Sequence, residues 1–471
     1  MENAVFASLK NRIKPAQIAL DGFPWLLATV LYTLSWGWSL LRPNTLYWDD
    51  WQLVFRQSSN FLMNKRNDLG LPPWSSAVET LFLPNQIFVL QLSTFALYFF
   101  AGIVFFKILS VKFDLPLNTK SHLVLVFLVA PVNHARIGVV MFDYTTSYFF
   151  FFLGWWLLTR SKNTFIYILS WACFFYSLKT HSLLFFLIFP SAHFYLIHIR
   201  STKIHRVEKS LKLFFILAIA PIYLLLRSLY WMPIGSYAAY NTPSIKGTVR
   251  ALLTFLLVLV LVVLILSLRK HLKSHRSALN LTALGLFTLS VALFPYIISD
   301  NIDRFIFLYN IGWQSRHLML TPLGIALVVV GLSQLNLKTK QSFVKLVVVI
   351  SVLINIFAGT QYYLQSLQQS EINKLLQSEV ITSVITEFGD ETERFKGRGA
   401  TYSEYEFFGM LNKADYEYPT RVGYRYVCAA KPDGVKLIVK SDKSFIDALL
   451  DRDTGTYLEI IRCADVMSVE N

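Results

Sequence analysis

Charge is what this chain has least of. Only 15% of its 471 residues are Asp, Glu, Lys or Arg, against about 25% in ordinary soluble domains. Hydrophobic residues make up 54% and aromatics 15%. A soluble core cannot hide that much apolar surface. Acidic residues are scarcer still in residues 1–360, which hold 31 Lys/Arg and 11 Asp/Glu, whereas residues 361–471 hold 13 and 18. Cysteine is limited to Cys173, Cys428 and Cys463. No CxxC or Cys/His spacing is present, which removes a zinc-finger reading. There is no Gly-rich phosphate loop, internal repeat or low-complexity run. The net charge of +15 does not point to nucleic acid, because the basic residues sit in short loops between apolar blocks.

The blocks themselves are the dominant signal. About 20 apolar residues cross a hydrocarbon core, and runs of that order recur at residues 22–41, 86–107, 121–132, 144–159, 164–178, 183–199, 213–230, 251–268, 281–298, 318–335 and 343–361. The first block is too long, and lacks the small-residue site, for a cleaved signal. Lys/Arg excess orients such helices. With the N-terminus inside, the inner segments carry 20 Lys/Arg and 4 Asp/Glu, and the outer segments up to residue 360 carry 11 and 7. The expected fold class is therefore an all-α polytopic membrane protein with about eleven spans. Residues 1–361 form the membrane module, with a first outer loop at 42–85. Residues 362–471 form a small extracytoplasmic α+β domain. A helical stretch at 365–388 opens that domain, followed by strands at 424–429, 435–439 and 457–462. Cys428 and Cys463, alone outside, are expected to pair, which would contribute about 3–4 kcal/mol in the chain-entropy model. Cys173, inside an apolar block, reads as a small core residue.

Chemistry-bearing residues gather at outer ends. Trp48-Asp49-Asp50-Trp51 lies about eight residues past the first span. Adjacent carboxylates beside a membrane are costly unless solvated, paired or used. They diverge on a strand or a helix, so one is expected to face a cavity and the other to orient the loop, cap a helix or hold a metal. An interfacial aromatic turn with an Asp cap is the bland alternative. The other outer segments supply His134, Arg136, Asp143, Lys179, His181, Arg227, Arg304, Arg316 and His317. Each alone is more often a solvated loop charge or a helix-end anchor. Together, carboxylates and cations suit an anionic lipid head group and a base.

A single helix followed by a long outer loop, with an acidic pair just past that helix, resembles the GT-C membrane glycosyltransferases. These use polyprenyl-phosphate-linked sugars. The resemblance covers the topology of most of the chain, and its sequence-specific part is Asp49 and Asp50. No subfamily signature such as WWDYG is present, so sugar and acceptor stay open. The resemblance implies an inverting transferase of the bacterial inner membrane, N-terminus cytoplasmic and C-terminus periplasmic. Its donor would be a polyprenyl-phosphate sugar such as an undecaprenyl carrier, and its acceptor a glycan, lipid or protein of the cell envelope, as in lipopolysaccharide modification. Asp49, ranked ahead of Asp50, would be the base. Arg316, with Arg304, Arg136, Lys179 and Arg227, would hold the donor phosphate. Asp143, with His134, His181 and His317, would form a second acidic or acceptor site. A divalent cation such as Mg or Mn stays open as a cofactor. A transporter or flippase of lipid-linked sugars is a competing reading, as is an O-antigen-type polymerase or ligase. A transporter favours mid-membrane charges and inverted repeats, and a polymerase or ligase usually has its main loops later in the chain. A non-catalytic membrane scaffold is the remaining one.

Overall fold

The computed structural model describes residues 22–48, 50–51, 69–83, 86–111, 115–160, 163–199, 206–234, 242–269, 271–299, 313–335, 340–376, 387–388 and 435–462. These are mostly helical. In chain order the helices are α1 (Trp25–Trp36), α2 (Ala77–Phe82), α3 (Ile87–Leu109), α4 (Leu117–Val129), α5 (Met141–Thr159), α6 (Thr164–Ser177), α7 (Leu183–Phe186), α8 (Ile188–Phe194), α9 (Arg206–Tyr230), α10 (Ile245–Leu268), α11 (Arg276–Ile298), α12 (Thr321–Ser333), α13 (Lys340–Leu376) and α14 (Phe445–Asp451).

Local chemistry sets several ends. The Asn163 side chain accepts from the Phe165 N–H at 2.8 Å and starts α6, and Ser244 does the same for Gly247 at α10, as N-caps do. Pro190 explains a break. It has no N–H to give the Phe186 carbonyl, and its ring crowds that turn, so the apolar block at 183–199 forms the short α7 and α8 followed by a π-helical turn, Tyr195–Ile199.

Among the described residues, five helices are long and apolar enough to cross a membrane: Ile87–Leu109, Val207–Tyr230, Ile245–Leu268, Arg276–Ile298 and Ser342–Leu375. The shorter apolar helices include α4, α6 and α12. The chain is thus a multi-helix membrane protein. α10 makes the point most plainly: its most apolar window is only 11% buried. A helix that is apolar all round yet hardly covered by protein needs hydrocarbon around it.

The core lies among α3, α4, α5 and the helices beside them. Tyr98, Phe105, Phe106, Phe127, Tyr148, Phe151 and Phe152 are fully buried there. Tyr98, Phe127 and Tyr148 stack within 12° of parallel, with centroids 5.4–6.1 Å apart. Offset aromatic stacks of this kind stabilise beyond the area they bury.

Two expectations at the C-terminal side differ: the stretch 365–388, expected to be helical, holds a strand at Glu387–Phe388, and the last span does not end at residue 361. α13 is a single 37-residue helix that runs straight through residue 361, where the span was expected to end. Its last turns carry the C-terminal unit, a strand–helix–strand in which β2 (Val435–Ser441) pairs antiparallel with β3 (Thr456–Arg462). β1 (Glu387–Phe388) adds a parallel edge. Glu371 of α13 accepts from Thr454 N–H at 3.0 Å and from the Thr454 hydroxyl. Leu364 and Leu367 pack on Ala448. The strands at 435–439 and 457–462 are therefore present, whereas 424–429, Cys428 and Cys463 lie outside the described residues.

Candidate functional site at one end of the bundle

Of the acidic pair, Asp50 is the half that the structure describes. Asp50 is fully buried. Its carboxylate accepts from three backbone N–H groups: Tyr47 at 3.0 Å, Val139 at 2.9 Å and Val140 at 2.9 Å. Val139 and Val140 immediately precede α5, so Asp50 caps a helix 90 residues away in sequence. Its negative charge also sits at the favourable end of that helix dipole. Trp48, just before the pair, has φ +46. A bulky residue in the left-handed region costs about 1–3 kcal/mol and persists only where the surroundings impose it. They do so here through Tyr362 of α13, which meets both Tyr47 and Trp48 edge-on at 5.7 and 5.8 Å. Asp49 itself lies outside the described residues.

The second outer loop is bound to this frame. Arg136 is buried, with its guanidinium 3.4 Å from the Trp36 ring centroid and 4.0 Å from that of Tyr98. It donates to the carbonyls of Asn133 and Val132. Planar guanidinium on an aromatic face is a strong cation–π arrangement once desolvated. His134 Nε2 lies 3.2 Å from Asn355 Oδ1, and Asn355 Nδ2 donates to the Val129 carbonyl. That network puts the imidazole proton on Nε2. A cavity of about 10 Å³ adjoins His134, Ser35, Asn355 and Tyr362. It has room for about one water, not for a sugar.

The remaining outer residues join in pairs. Lys179 Nζ lies 2.5 Å from Asp143 Oδ1, with both side chains almost wholly buried, and also donates to the Tyr176 hydroxyl at 3.0 Å. Burial alone would pull the Lys179 ammonium down; Asp143 and then Tyr176 outweigh it and hold it above its ordinary value. Ser315 accepts from the Ala135 N–H at 2.8 Å, tying the 3₁₀ turn Trp313–Leu318 to the turn His134–Ile137. His317 lies tilted against the Tyr296 ring with centroids 4.7 Å apart, and the Tyr296 hydroxyl reaches Ser182 at 3.3 Å. His181 faces Tyr223 at 6.0 Å. Burial, then Arg136, lowers His134 to about 4. Burial, then Arg227, lowers His181 to about 3, and burial, then Arg316, lowers His317 to about 3. In all three, burial and the neighbouring arginine favour the neutral imidazole.

Outer segments far apart in sequence thus converge on one end of the bundle. Asp50, Ser315, His134 and Arg136 meet through the turn His134–Ile137 and the start of α5, while Asp143 with Lys179 and His317 with Tyr296 form separate pairs. Three of the expected site residues are engaged within the protein: Arg136 between Trp36 and Tyr98, and Lys179 and Asp143 with each other. Arg304 lies outside the described residues. Trp36, Tyr98, Ser315 and Asn355 were not singled out from sequence. Asn355 had a signal, a lone amide inside an apolar run. Among the described residues no group of three His, Cys, Asp or Glu side chains is placed to hold a metal ion. Comparison with protein-family models, with curated proteins and with solved structures finds no match to this chain.

Proposed function

We propose that the chain is an inverting GT-C-type glycosyltransferase. It moves a sugar from a polyprenyl-phosphate donor to a hydroxyl of a cell-envelope glycan, lipid or protein on the extracytoplasmic side. The supporting observation is that the Asp50 carboxylate is used on three backbone N–H groups, in a segment where Trp48 is held at φ +46. Asp49 is then the carboxylate left for chemistry.

A carboxylate within hydrogen-bond reach takes the acceptor proton as the hydroxyl attacks the anomeric carbon. Its charge also favours an oxocarbenium-like transition state. The lipid phosphate leaves with the bonding electrons, and a cation at the same membrane face stabilises it. The topology belongs to the same reading: eleven crossings, N-terminus cytoplasmic, and residues 362–471 outside.

The test is sugar transfer in proteoliposomes supplied with polyprenyl-phosphate sugars and candidate acceptors. Asp49→Asn keeps size but removes charge and basicity. It is expected to cut turnover by about 10²–10⁴-fold while thermal stability is unchanged. Normal turnover in a folded Asp49→Asn protein refutes the reading. Translocation of an uncleaved donor by the wild type would favour a flippase instead. Adding a chelator to the same assay tests for a divalent cation.

A further inference from the structure

Arg227 differs from the other cations at this end of the bundle. Lys179 is neutralised by Asp143, and Arg136 is enclosed by Trp36 and Tyr98. Arg227 uses only Nε, which donates to the Gly70 carbonyl at 3.3 Å. Its terminal nitrogens have no partner among the described residues. Tyr223, one helical turn earlier on the same face of α9, is fully buried, yet among the described residues its hydroxyl has no partner. The buried His181 Nε2 beside it has none either. A cation at a helix C-terminus needs no ligand by itself. Two buried, unsatisfied polar atoms next to it do call for one, since each costs about 1–3 kcal/mol if left unmade.

The flank of α9 says where such a ligand comes from. Its most apolar window is only 17% buried, and Ile222, Leu225 and Leu229 are exposed on it. Whatever reaches Arg227 from that side travels through hydrocarbon. On the other side the site is closed by the first outer loop. Gly70 has φ +70, and a Cβ there would lie 2.6 Å from the Trp231 carbonyl oxygen. Trp74 stands edge-on to Trp231 at 5.1 Å. We propose that Arg227, Tyr223 and His181 bind the phosphate of an anionic membrane lipid, with the acyl chains lying along the exposed strip of α9. A guanidinium fork and neighbouring hydroxyl and imidazole groups match phosphate oxygens. The proposal is independent of glycosyl transfer, because it concerns a resident phospholipid and needs no sugar.

The test is native mass spectrometry of the full-length protein released from nanodiscs of phosphatidylglycerol or of phosphatidylcholine. The wild type is expected to retain phosphatidylglycerol in preference to phosphatidylcholine. Arg227→Gln should weaken that retention about tenfold, the loss of one charge-assisted interaction. Tyr223→Phe keeps the ring packing and should weaken it by a smaller factor, which keeps the idea testable if Arg227→Gln folds poorly. Arg160→Gln, at the opposite end of the bundle, should leave it unchanged. Millimolar inorganic phosphate should not displace the lipid; displacement would mean a free-phosphate site and overturn the lipid assignment. Equal retention by folded wild type, Arg227→Gln and Tyr223→Phe would overturn the site altogether. Sugar transfer is not read in this experiment, so the two proposals fail separately.

Discussion

At the scale of single residues, the acidic pair shows how far adjacency can be read. Two neighbouring carboxylates must diverge, so a structural role for one of them was legible before any fold was known. Which partners the structural one takes was not. Val139 and Val140 are apolar residues whose contribution is their backbone N–H groups, and only packing brings them to Asp50. Replacing Asp50 with Ala leaves three enclosed donors, each previously bonded to a charge. The expected loss of stability is about 2–4 kcal/mol, read as a fall in the thermal midpoint of the purified protein, whereas Asp49→Asn should hold the wild-type midpoint. Equal midpoints for Asp50→Ala and wild type would remove Asp50 from its capping role. Arg136 illustrates the opposite limit. Its place in an outer loop suggested a phosphate ligand, but the faces that enclose it belong to Trp36 and Tyr98. Those two sit in apolar spans, where an aromatic ring carries no mark of the partner it will meet.

At the scale of elements, hydropathy located the apolar blocks but not the helices inside them. The block at 183–199 has the composition of a span, yet Pro190 interrupts its hydrogen-bond ladder. The block ending at 361 has a polarity change that marks a change of surroundings, not a helix end, so α13 continues to Leu376. Nothing in the stretch after Gly359 breaks a helix: Gln, Leu, Ser and Glu all tolerate one. The strands at 435–439 and 457–462 were legible because their apolar runs are short and bounded by turn residues. Gly359 has a role that its helical setting hides. A Cβ there would lie 2.5 Å from the Trp38 ring, so the glycine lets α13 approach the 3₁₀ turn Gly37–Leu40. Gly359→Ala gains about 1 kcal/mol of helix propensity, but the overpacking costs about 1–3 kcal/mol. The expected net effect is a lower thermal midpoint and an altered Trp38 fluorescence environment. A raised midpoint would show that α13 and this turn are not in close contact.

At the scale of the whole molecule, α13 is long and apolar enough to link the two faces of a membrane. A helix of 37 residues is about 55 Å long at 1.5 Å per residue, far more than the hydrocarbon core of about 30 Å. It must emerge, and its contacts identify the end that does. From Tyr362 onward it holds Tyr47 and Trp48 of the first outer segment, Gln369 donates to the Leu46 carbonyl at 2.7 Å, and Glu371 binds the C-terminal unit. The acidic segment and the C-terminal strands therefore share one face, opposite the lysines at the start of α13. The inner segments, counted with those lysines inside, hold 20 Lys/Arg and 4 Asp/Glu, an excess that retains such loops in the cytoplasm. Fusions of a compartment-sensitive reporter at Gln341 and at Asp433 should then report opposite sides, cytoplasmic for the first and extracytoplasmic for the second. Reporters on the same side would mean that α13 lies along the membrane or turns back. Opposite sides with the polarity reversed would keep the helix as a span but put Asp49 in the cytoplasm. A transferase using an outer-leaflet polyprenyl donor could not work there.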